Sequence, residues 1–281
     1  MIKVNPLISI VIPVYNRISL ITKSIESALG QTYKNTEIIV IDNKSTDGTF
    51  EFLVEKYGKN NKIILHQNNE NIGPVRNWIT GIKLSNGKYI KLLFSDDWID
   101  NDFIEKASVF FSDSIGLIYS PVMIHKRNGE ISNLYKTSKS SNIFSSKKFI
   151  FYTLISYKTP VSPGCAIFKK EDLLKALSTV IDNKNHKEYL KYGAGLDLYC
   201  FLSIAENCNN VAFLRDTYSH FFQSRDSFTC ENSLYKYYMH TKLYFLKKNK
   251  YPISNTIIKI IIILKIDRFI SFISNYPHNR I

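Results

Sequence analysis

The stretch LISIVIPVYN, Leu7–Asn16, decides the fold class of this chain. Its first six residues are a mostly apolar run that predicts a β-strand, and Pro13 ends the run where polar residues begin. Ser19–Leu29 follows with apolar residues three and four positions apart, the spacing of an amphipathic helix. Glu37–Ile41 is a second, mostly apolar run of the kind that fits a strand buried on both faces.

The same alternation continues through the first 120 residues. Two further helices and two further strands are predicted at Thr49–Tyr57, Val75–Leu84, Lys62–His66 and Tyr89–Phe94. Strands and helices in this order indicate βαβ units, so we expect an α/β fold with a mostly parallel central sheet flanked by helices. In such sheets ligands bind at the carboxyl ends of the strands.

Polar clusters follow three of the predicted strands. They are Pro13–Asn16 after the first strand, Asp42–Thr49 after the second and Ser95–Trp98 after the fourth. Because the carboxyl ends of parallel strands lie at one edge of a sheet, we expect the three clusters to converge on one site.

Asp96 and Asp97 are adjacent carboxylates at the end of the fourth predicted strand. Two such groups are costly to bury in charged form unless a positive group neutralises them. Mg²⁺ or Mn²⁺ carrying substrate phosphates would do so, since these cations prefer oxygen ligands. The alternative is that Ser95 or an aspartate caps a helix beginning near Asp100–Asp102. The other polar clusters make us favour the cation.

Two further strand ends carry polar residues. Asp42 comes one residue after a predicted strand, where it is placed to accept a hydrogen bond from a bound base, whereas Asp47 fits the N-cap of the next helix. The segment Asn71–Pro74 has two interpretations. It is a turn and cap with proline in the first helical turn, or a backbone wall beside a ligand.

These motifs, in this order and spacing, resemble a family 2 glycosyltransferase of the bacterial surface-polysaccharide type. The resemblance rests on Leu7–Asn16, Asp42–Thr49, Asn71-x-Gly73 and Phe94-Ser95-Asp96-Asp97. It implies the GT-A fold, a nucleotide-sugar donor, a glycan or lipid-linked acceptor, and inversion of the anomeric centre. It implies eight donor-binding residues: Pro13, Tyr15, Asn16, Asp42, Asn71, Gly73, Ser95 and Asp96. Of these, Pro13, Tyr15 and Asp42 would line the pocket of the nucleotide base.

The resemblance also implies a cation site and a catalytic base. Asp96 corresponds to the second aspartate of the D-x-D motif and would contact Mn²⁺ or Mg²⁺. Phe94 stands at the first acidic position, so the ribose contact attributed to that aspartate has no equivalent carboxylate here. Asp197 falls where the family places its base, commonly written E-D, with Leu196 replacing the glutamate. The alternative for Asp197 is a helix N-cap.

The formal charge of +13 fits an anionic membrane, an anionic substrate or a nucleic acid, and also a chain of biased codon composition. No helix-turn-helix, finger or RNA-binding signature accompanies the charge, so we expect no nucleic-acid partner. Four scattered cysteines fit a reducing compartment, and the first residues lack the apolar core of a signal peptide. We therefore expect a cytoplasmic protein.

The C-terminal part has two interpretations. Asn255–Ile273 is apolar but is interrupted by charged residues, which makes it a poor bilayer span. It fits an interfacial helix on the inner face of the cell membrane, or a helix packed on the domain or on a second subunit of a homo-oligomer. We favour the interfacial helix, which would give peripheral membrane contact.

We expect one GT-A-like domain over residues 1–230 and a C-terminal helical extension over 231–281. The domain divides into a nucleotide-sugar half, 1–120, and an acceptor half, 121–230. Within the acceptor half, Gly116–Lys170 is expected to be less regular, with a loop at Thr159–Gly164. Helices are predicted at Gly195–Cys208 and Leu234–Lys248.

Two rival functions stay open. A nucleotidyltransferase would need a glycine-rich, basic phosphate loop after the first strand, and Pro13–Asn16 is not one. A catalytically inactive nucleotide-sugar-binding module gains support from Phe94, whereas Asp96 and Asp197 count against it. His220 and Arg225 are candidate contacts for a diphosphate or an acceptor.

Overall fold

The structure is a computed structural model and describes residues 5–136, 138–155, 159–160, 162–181, 193–223 and 235–249. The strands of this part of the chain are β1 (Ile8–Val14), β2 (Thr36–Asp42), β3 (Ile63–Gln67), β4 (Tyr89–Leu92), β5 (Trp98–Ile99), β6 (Ile115–Tyr119), β7 (Val122–Lys126), β8 (Ile131–Leu134), β9 (Asn142–Ser145), β10 (Ala166–Lys169), β11 (Asn210–Phe213) and β12 (Ser219–Gln223). The helices are α1 (Ile21–Leu29), α2 (Thr49–Tyr57), α3 (Pro74–Leu84), α4 (Phe103–Ser108), α5 (Ser146–Ile155), α6 (Lys170–Ile181), α7 (Leu196–Glu206) and α8 (Tyr235–Lys248), and a short 3₁₀ helix covers Pro163–Cys165.

Eight strands form the central sheet in the order β3-β2-β1-β4-β10-β6-β11-β9. The four strands from β3 to β4 are parallel to one another, β10 is reversed, and β6 and β11 again run in the direction of β4. The carboxyl ends of β1, β2, β4, β6 and β11 therefore share one edge of the sheet. A second sheet of four strands has the order β5-β12-β7-β8.

The continuous apolar character of β1 follows from burial on both faces of the sheet. Ile8, Ile10 and Ile12 point into one core with α1, whereas Val11 points into a second core that contains residues of α3 and α7. A strand between two helical layers needs apolar side chains at every position, not at alternate positions. This arrangement confirms the predicted α/β fold with a large central sheet flanked by helices.

The predicted elements of the first 120 residues are present, with ends that differ by one or two residues. The expectation that Gly116–Lys170 is less regular was wrong. This region holds most of β6, all of β7 to β10, α5 and the 3₁₀ helix. Most of these strands have only four or five residues, and β8 and β9 carry mainly exposed side chains, so they lack the burial that gives a recognisable apolar pattern.

The predicted helices at Gly195–Cys208 and Leu234–Lys248 correspond to α7 and α8. The predicted tail helix at Asn255–Ile273 lies outside the described residues. Within the part of the chain that the structure describes, no helix has the length and apolar character needed to cross a membrane.

Candidate functional site at the carboxyl edge of the sheet

The loops that follow β1 and β2 are bound to each other. The backbone N–H of Asn43 donates to Val14 O at 2.9 Å, and the N–H of Asn16 donates to Ser45 Oγ at 2.9 Å. In return, the N–H of Thr46 donates to Asn16 Oδ1 at 2.8 Å. Two of the predicted polar clusters therefore form one unit at the sheet edge.

The predicted base-pocket residues of β1 differ in exposure. Pro13 is buried in β1, opposite Ile41 in the register, whereas Tyr15 is 41% exposed beyond the strand end. Asn16 adopts a left-handed backbone with φ 51°, which asparagine tolerates better than most residues. Tyr15 is thus the side chain of this group that projects from the edge.

Asp42 is fully buried at the end of β2. Its carboxylate accepts hydrogen bonds at 2.9 Å from Ser45 N and from Gln67 Nε2, and a further one from the Ser45 hydroxyl. Gln67 ends β3, so the next strand of the sheet supplies part of this environment. The sequence gives no signal that Gln67 contacts Asp42.

Three buried asparagines support the same loops. Asn68 Nδ2 donates to Asn43 Oδ1 at 3.1 Å and to Asn77 Oδ1 at 2.8 Å. Asn77 Nδ2 donates to Ile41 O at 3.1 Å. Asn43 also donates to Asn71 Oδ1 at 2.7 Å. Buried amides that satisfy one another make a rigid unit, because each broken contact leaves an unpaired polar group.

Asn71 and Gly73 form the turn that precedes α3. The N–H of Gly73 donates to Asn71 Oδ1 at 3.0 Å, and Gly73, with φ 83°, occupies the N-cap position before Pro74. A positive φ favours glycine at this position. The turn-and-cap interpretation therefore describes the local structure, and a wall beside a donor remains compatible with it.

The segment Phe94–Asp97 makes a turn after β4. Asp97 N donates to Phe94 O at 3.0 Å, and the Ser24 hydroxyl of α1 donates to Asp97 O at 2.6 Å. The interpretation of Ser95, Asp96 or Asp97 as a helix cap was wrong. The strand β5 comes next, and α4 has Asp102 at its N-cap position.

Asp96 and Asp97 have different surroundings. Asp97 and Ser95 are buried, and Asp97 accepts a hydrogen bond from Phe222 N at 3.1 Å. Burial, and next the charge of Asp96, raise the pKa of Asp97 well above its usual value. Burial also raises the pKa of Asp96, and the positive charge of Arg17 opposes that rise. The backbone N–H of Asp96 itself donates to this carboxylate, and no other described residue does, so part of its acceptor capacity is available to a ligand.

A lysine is buried close to this pair. Lys91 of β4 is fully buried, and its ammonium donates to Gly164 O. Burial lowers the pKa of Lys91 to about 8, although the nearby Asp97 charge acts in the opposite direction. Lys91 therefore places a positive charge behind Asp97.

Phe94 connects the turn to the other half of the site. Its ring centroid lies 5.4 Å from that of Trp78, and a Cβ added to Gly164 would lie 3.2 Å from the Phe94 ring. Trp78 in turn touches Gly193, where an added Cβ would lie 2.7 Å from the indole ring. Through these packed rings, the Asp96 turn and the segment that leads into α7 become neighbours.

Asp197 lies in the first turn of α7 and is half-buried. Its Oδ1 accepts hydrogen bonds from Gly195 N at 2.8 Å and Leu198 N at 2.7 Å, and Tyr238 OH donates to Oδ2 at 3.2 Å. Burial raises the pKa of Asp197 to about 7. The N-cap residue is Gly195, so the N-cap interpretation of Asp197 was wrong in position, although its carboxylate does bind backbone N–H groups of this turn.

The donor atoms at this edge suit a divalent cation that shares its ligands with a substrate. The described residues contain no group of three or more histidine, cysteine or acidic side chains able to hold a metal without further ligands. Among the described residues, only the backbone N–H of Asp96 itself donates to the Asp96 carboxylate, which leaves acceptor capacity for a cation. Mg²⁺ sites commonly combine one or two carboxylates with substrate phosphates and water, and Asp96 fits that pattern.

Two histidines are hydrogen-bonded to each other next to the Phe94–Asp97 turn, and no sequence pattern predicted this pairing. His220 Nδ1 and His125 Nε2 are 2.9 Å apart and share a hydrogen bond, and His220 Nε2 lies 2.9 Å from Asp100 Oδ1. The Trp98 ring stacks on His220 with a centroid distance of 5.1 Å. Both ring nitrogens of His220 have protein partners, so it is not free to contact a diphosphate. Arg225 lies outside the described residues.

Comparisons with known proteins agree with this geometry. Residues 9–176 match the sequence profile of glycosyl transferase family 2. Glycosyltransferase GlyA of Streptococcus pneumoniae serotype 4 is 30% identical over 142 residues, which are 50% of this chain and 18% of GlyA. Chondroitin synthase of Escherichia coli is 37% identical over 134 residues, which are 46% of this chain and 19% of the synthase.

Solved structures share the fold. S. aureus TarS 1-349 in complex with UDP-GlcNAc superposes with a TM-score of 0.64 at 18% identity, covering 85% of this chain and 66% of that one. The UDP complex of the same protein gives 0.63 at 20% identity, covering 85% and 65%. The chain spans about a fifth of the length of these two curated relatives.

Proposed function

This chain belongs to glycosyl transferase family 2, and we propose that it is an inverting glycosyltransferase. It moves a sugar from a nucleoside-diphosphate sugar to a hydroxyl of a glycan or lipid-linked acceptor, in the synthesis of a bacterial surface polysaccharide. The observation that carries the proposal is the Asp96 carboxylate. It accepts no hydrogen bond from any other described residue and lies at the edge where the loops after β1 and β2 meet.

The nucleotide end of the donor would lie across the ends of β1 and β2. The proposed base-pocket residues are Pro13, Tyr15 and Asp42. The Asp42 carboxylate is fully buried and is held in one orientation by Ser45 and Gln67. Such preorganisation lowers the ordering cost of binding. Asn16, Asn71, Gly73 and Ser95 complete the proposed donor set.

The sugar-diphosphate end would lie over the Phe94–Asp97 turn. Asp96 is the residue that would hold Mn²⁺ or Mg²⁺, which when bound neutralises charge that develops on the leaving diphosphate. Arg17 lies near enough to Asp96 to affect its pKa and would supply protein charge at the same place. Phe94 stands at the position of the first D-x-D aspartate, and its ring packs against Trp78.

Asp197 is the proposed catalytic base. An acceptor hydroxyl is a weak nucleophile, so a carboxylate has to take its proton as the oxygen attacks the anomeric carbon. A pKa of about 7 suits this task, because the group is largely ionised just above neutral pH and still basic enough to accept a proton. A single displacement from the face opposite the leaving group inverts the anomeric centre.

We further propose that the enzyme acts in the cytoplasm, peripherally at the inner face of the cell membrane. Residues 1–120 would serve as the nucleotide-sugar half, 121–230 as the acceptor half, and 231–281 as the membrane-proximal extension. The net charge of +13 supports contact with anionic lipid.

The test is nucleoside-diphosphate release from a panel of nucleotide sugars, with Mn²⁺, with Mg²⁺ and with chelator. We expect cation-dependent release from one donor in the wild-type protein, lost in Asp96→Ala. The matched control is Asp102→Ala, which removes an aspartate that pairs with Lys106 at 2.7 Å outside the proposed site. Equal release by wild type and Asp96→Ala would contradict the role of Asp96.

The second candidate is a catalytically inactive nucleotide-sugar-binding module, favoured by Phe94 in place of an aspartate. It predicts a donor-induced rise in melting temperature without release, even when a lipid-linked acceptor is present. Absence of both the thermal shift and release, across the whole donor panel, would count against both functions.

A further inference from the structure

A cavity of about 320 Å³ opens on the acceptor half of the sheet edge, away from Asp96. Its lining includes Lys136, Ser138, Lys139, Phe213, Arg215 and Tyr218. Phe213 ends β11, which runs parallel to β6 with Phe213 opposite Tyr119. The cavity therefore lies beyond the carboxyl ends of β6 and β11, at the same edge as the candidate donor site.

The charge of this cavity is opposite to that of the Asp96 turn. Three of the side chains named above are cations, and none of the described lining residues carries a carboxylate. One carboxylate lies just outside the lining, since Asp216 Oδ1 is 3.5 Å from Arg215 Nε in an exposed pair. Exposed pairs of this kind contribute little, so Arg215 stays available to a ligand. Lys136, Lys139 and Arg215 thus make a site for an anion.

Mostly exposed hydrogen bonds order the backbone around the cavity. Arg215 N donates to Ser141 Oγ at 2.8 Å, and Arg215 Nη1 lies 3.4 Å from Ser138 O, its acceptor. Tyr218 N donates to Asp100 Oδ2 at 2.8 Å, and Lys136 Nζ lies 5.8 Å from the centre of the Tyr218 ring. The contact between Arg215 and Ser138 joins two chain segments that lie 77 positions apart in the sequence, and both segments line the cavity.

The cation set and the size of the cavity point to a phosphate group. A guanidinium binds phosphate oxygens in a bidentate manner, and lysines add point charge, so three cations match a multiply charged phosphate better than a single carboxylate. A volume of about 320 Å³ is at the lower end for small-molecule sites. The rings of Tyr218 and Phe213 offer apolar surface for the group that carries the phosphate.

The position of the cavity separates it from the donor diphosphate. In the sheet order, β10 lies between β4 and β6, and β11 follows β6. With neighbouring strands about 4.8 Å apart, the ends of β6 and β11 are roughly 10 and 14 Å from the end of β4. A ligand in the cavity would lie beside a donor at the Asp96 turn without occupying the same space.

We propose that this cavity binds a phosphate group carried by the acceptor, and this proposal rests on the proposed glycosyltransferase function. The phosphate belongs either to a soluble phosphate-bearing acceptor or to the headgroup of a lipid-linked one. The shared chemistry is a phosphate held by Arg215 and the two lysines.

The first experiment measures the binding of inorganic pyrophosphate by calorimetry in the presence of chelator, so that no divalent cation can bridge pyrophosphate to Asp96. The variant is Lys136→Gln, Lys139→Gln, Arg215→Gln. The matched control is Lys59→Gln, Lys62→Gln, Lys83→Gln, which removes three exposed lysine charges near the ends of α2 and α3, at the opposite edge of the sheet. Thermal melts establish that both triple variants fold.

We expect pyrophosphate to bind the cavity variant at least about tenfold more weakly than the wild type, because charge-assisted hydrogen bonds are lost. The control variant should stay within about threefold of the wild type, since its lysines affect the cavity only through screened, long-range charge. Equal weakening in both variants, or no weakening in the cavity variant, would overturn the proposal.

The second experiment distinguishes the two sources of phosphate. Flotation with phosphatidylcholine vesicles, with and without phosphatidic acid, measures binding to a lipid phosphate. Loss of flotation in the cavity variant but not in the control identifies a lipid headgroup. Unchanged flotation, together with lost pyrophosphate binding, identifies a soluble phosphate-bearing acceptor.

Donor hydrolysis separates this proposal from the proposed function. We expect nucleoside-diphosphate release without acceptor to be the same in the cavity variant and the wild type. If the wild type binds pyrophosphate through the cavity but releases no nucleoside diphosphate from any donor, the anion site stands and the proposed transferase function fails.

Discussion

The two halves of the sheet edge differ in charge and in rigidity. The proposed donor edge, at the ends of β1, β2 and β4, carries Asp42, Asp96 and Asp97, and its loops are joined by buried asparagine amides. The proposed acceptor edge, at the ends of β6 and β11, carries three cations around an open cavity with exposed hydrogen bonds. One continuous sheet thus supports two chemically different surfaces.

The difference in charge indicates how each edge would bind a phosphate. At the first of these edges the protein supplies carboxylates, and under the proposed function a phosphate ligand would bind there together with a divalent cation held by Asp96. At the acceptor edge the protein supplies the cations itself. Under the proposed function, the nucleotide end of the donor would bind at the rigid edge, and the acceptor would bind at the open one.

We expect the largest loss of sugar transfer from Asp197→Asn. This substitution tests whether the two edges take part in the same reaction. Sugar transfer should fall by about 10²–10⁴-fold, because the amide cannot take the acceptor proton. Donor binding should be unchanged, since Asp197 would act only on the acceptor. Steady-state transfer and donor calorimetry measure the two quantities. The control is Asp113→Asn, since the Asp113 side chain is 89% exposed and lies away from both edges. A loss below about tenfold would remove Asp197 from the role of base.

The pH dependence sharpens the same prediction. Burial raises the pKa of Asp197 to about 7, so transfer should rise about tenfold per pH unit on the acid side and level off above about pH 7. The raised pKa also favours the protonated folded protein. Its contribution to stability is present below the unfolded pKa of about 4 and is lost as the pH rises through about 7.

Two measurements check these two pH dependences, one of activity and one of stability. The pH profile of kcat/KM should show the acid limb in the wild type. Melting temperatures at pH 5 and pH 8 should fall further in the wild type than in Asp197→Asn, because the amide does not ionise. An identical pH dependence of melting in the two proteins would contradict the raised pKa.

Asn77→Ala tests the rigidity of the donor edge. The substitution leaves Asn68 Nδ2 and Ile41 O without one partner each, at a cost of about 1–3 kcal/mol in the free energy of unfolding. The counterpart at the acceptor edge is Ser141→Ala, which removes an exposed acceptor and should cost no more than about 0.5 kcal/mol. Denaturant unfolding compares the two. Equal costs would mean that the edges do not differ in rigidity.

Lys23→Met should have the smallest effect. The Lys23 ammonium lies 3.0 Å from the centre of the Trp98 ring, next to the Asp96 turn. Losing this cation–π contact should cost about 0.5–1 kcal/mol of stability, while the methionine keeps most of the side-chain packing. Denaturant unfolding measures the change, with Lys83→Met as the exposed control. A change no larger than that of the control would show that the contact is energetically neutral.

Residues 1–120 were largely predictable from the sequence. β1 and α2 have strong local patterns, a continuous apolar run and a three-and-four spacing, and their observed bounds are close to or the same as the predicted ones. The region after residue 120 was predicted less well. β8 and β9 are short and exposed, so neither leaves a clear pattern, and they form through pairing with β7 and β11.

The candidate site divides in the same way. Asp96 and Asp42 were found because a strand end followed by an acidic residue is a local signal. Gln67, which binds Asp42, and His125, which pairs with His220, had no such signal. The two histidines are 95 positions apart and meet only because β7 and β12 pair in register.

The sequence by itself determined the fold class, because strand and helix patterns are local, and its resemblance to family 2 glycosyltransferases pointed to the family and to the candidate donor and base positions. Only the tertiary structure decided which carboxylates are engaged, why the pKa of Asp197 is raised, and that Lys136, Lys139 and Arg215 line one cavity. The physical reason is that burial and charge density depend on distances in space. Those distances are set by sheet pairing between segments that lie far apart along the chain.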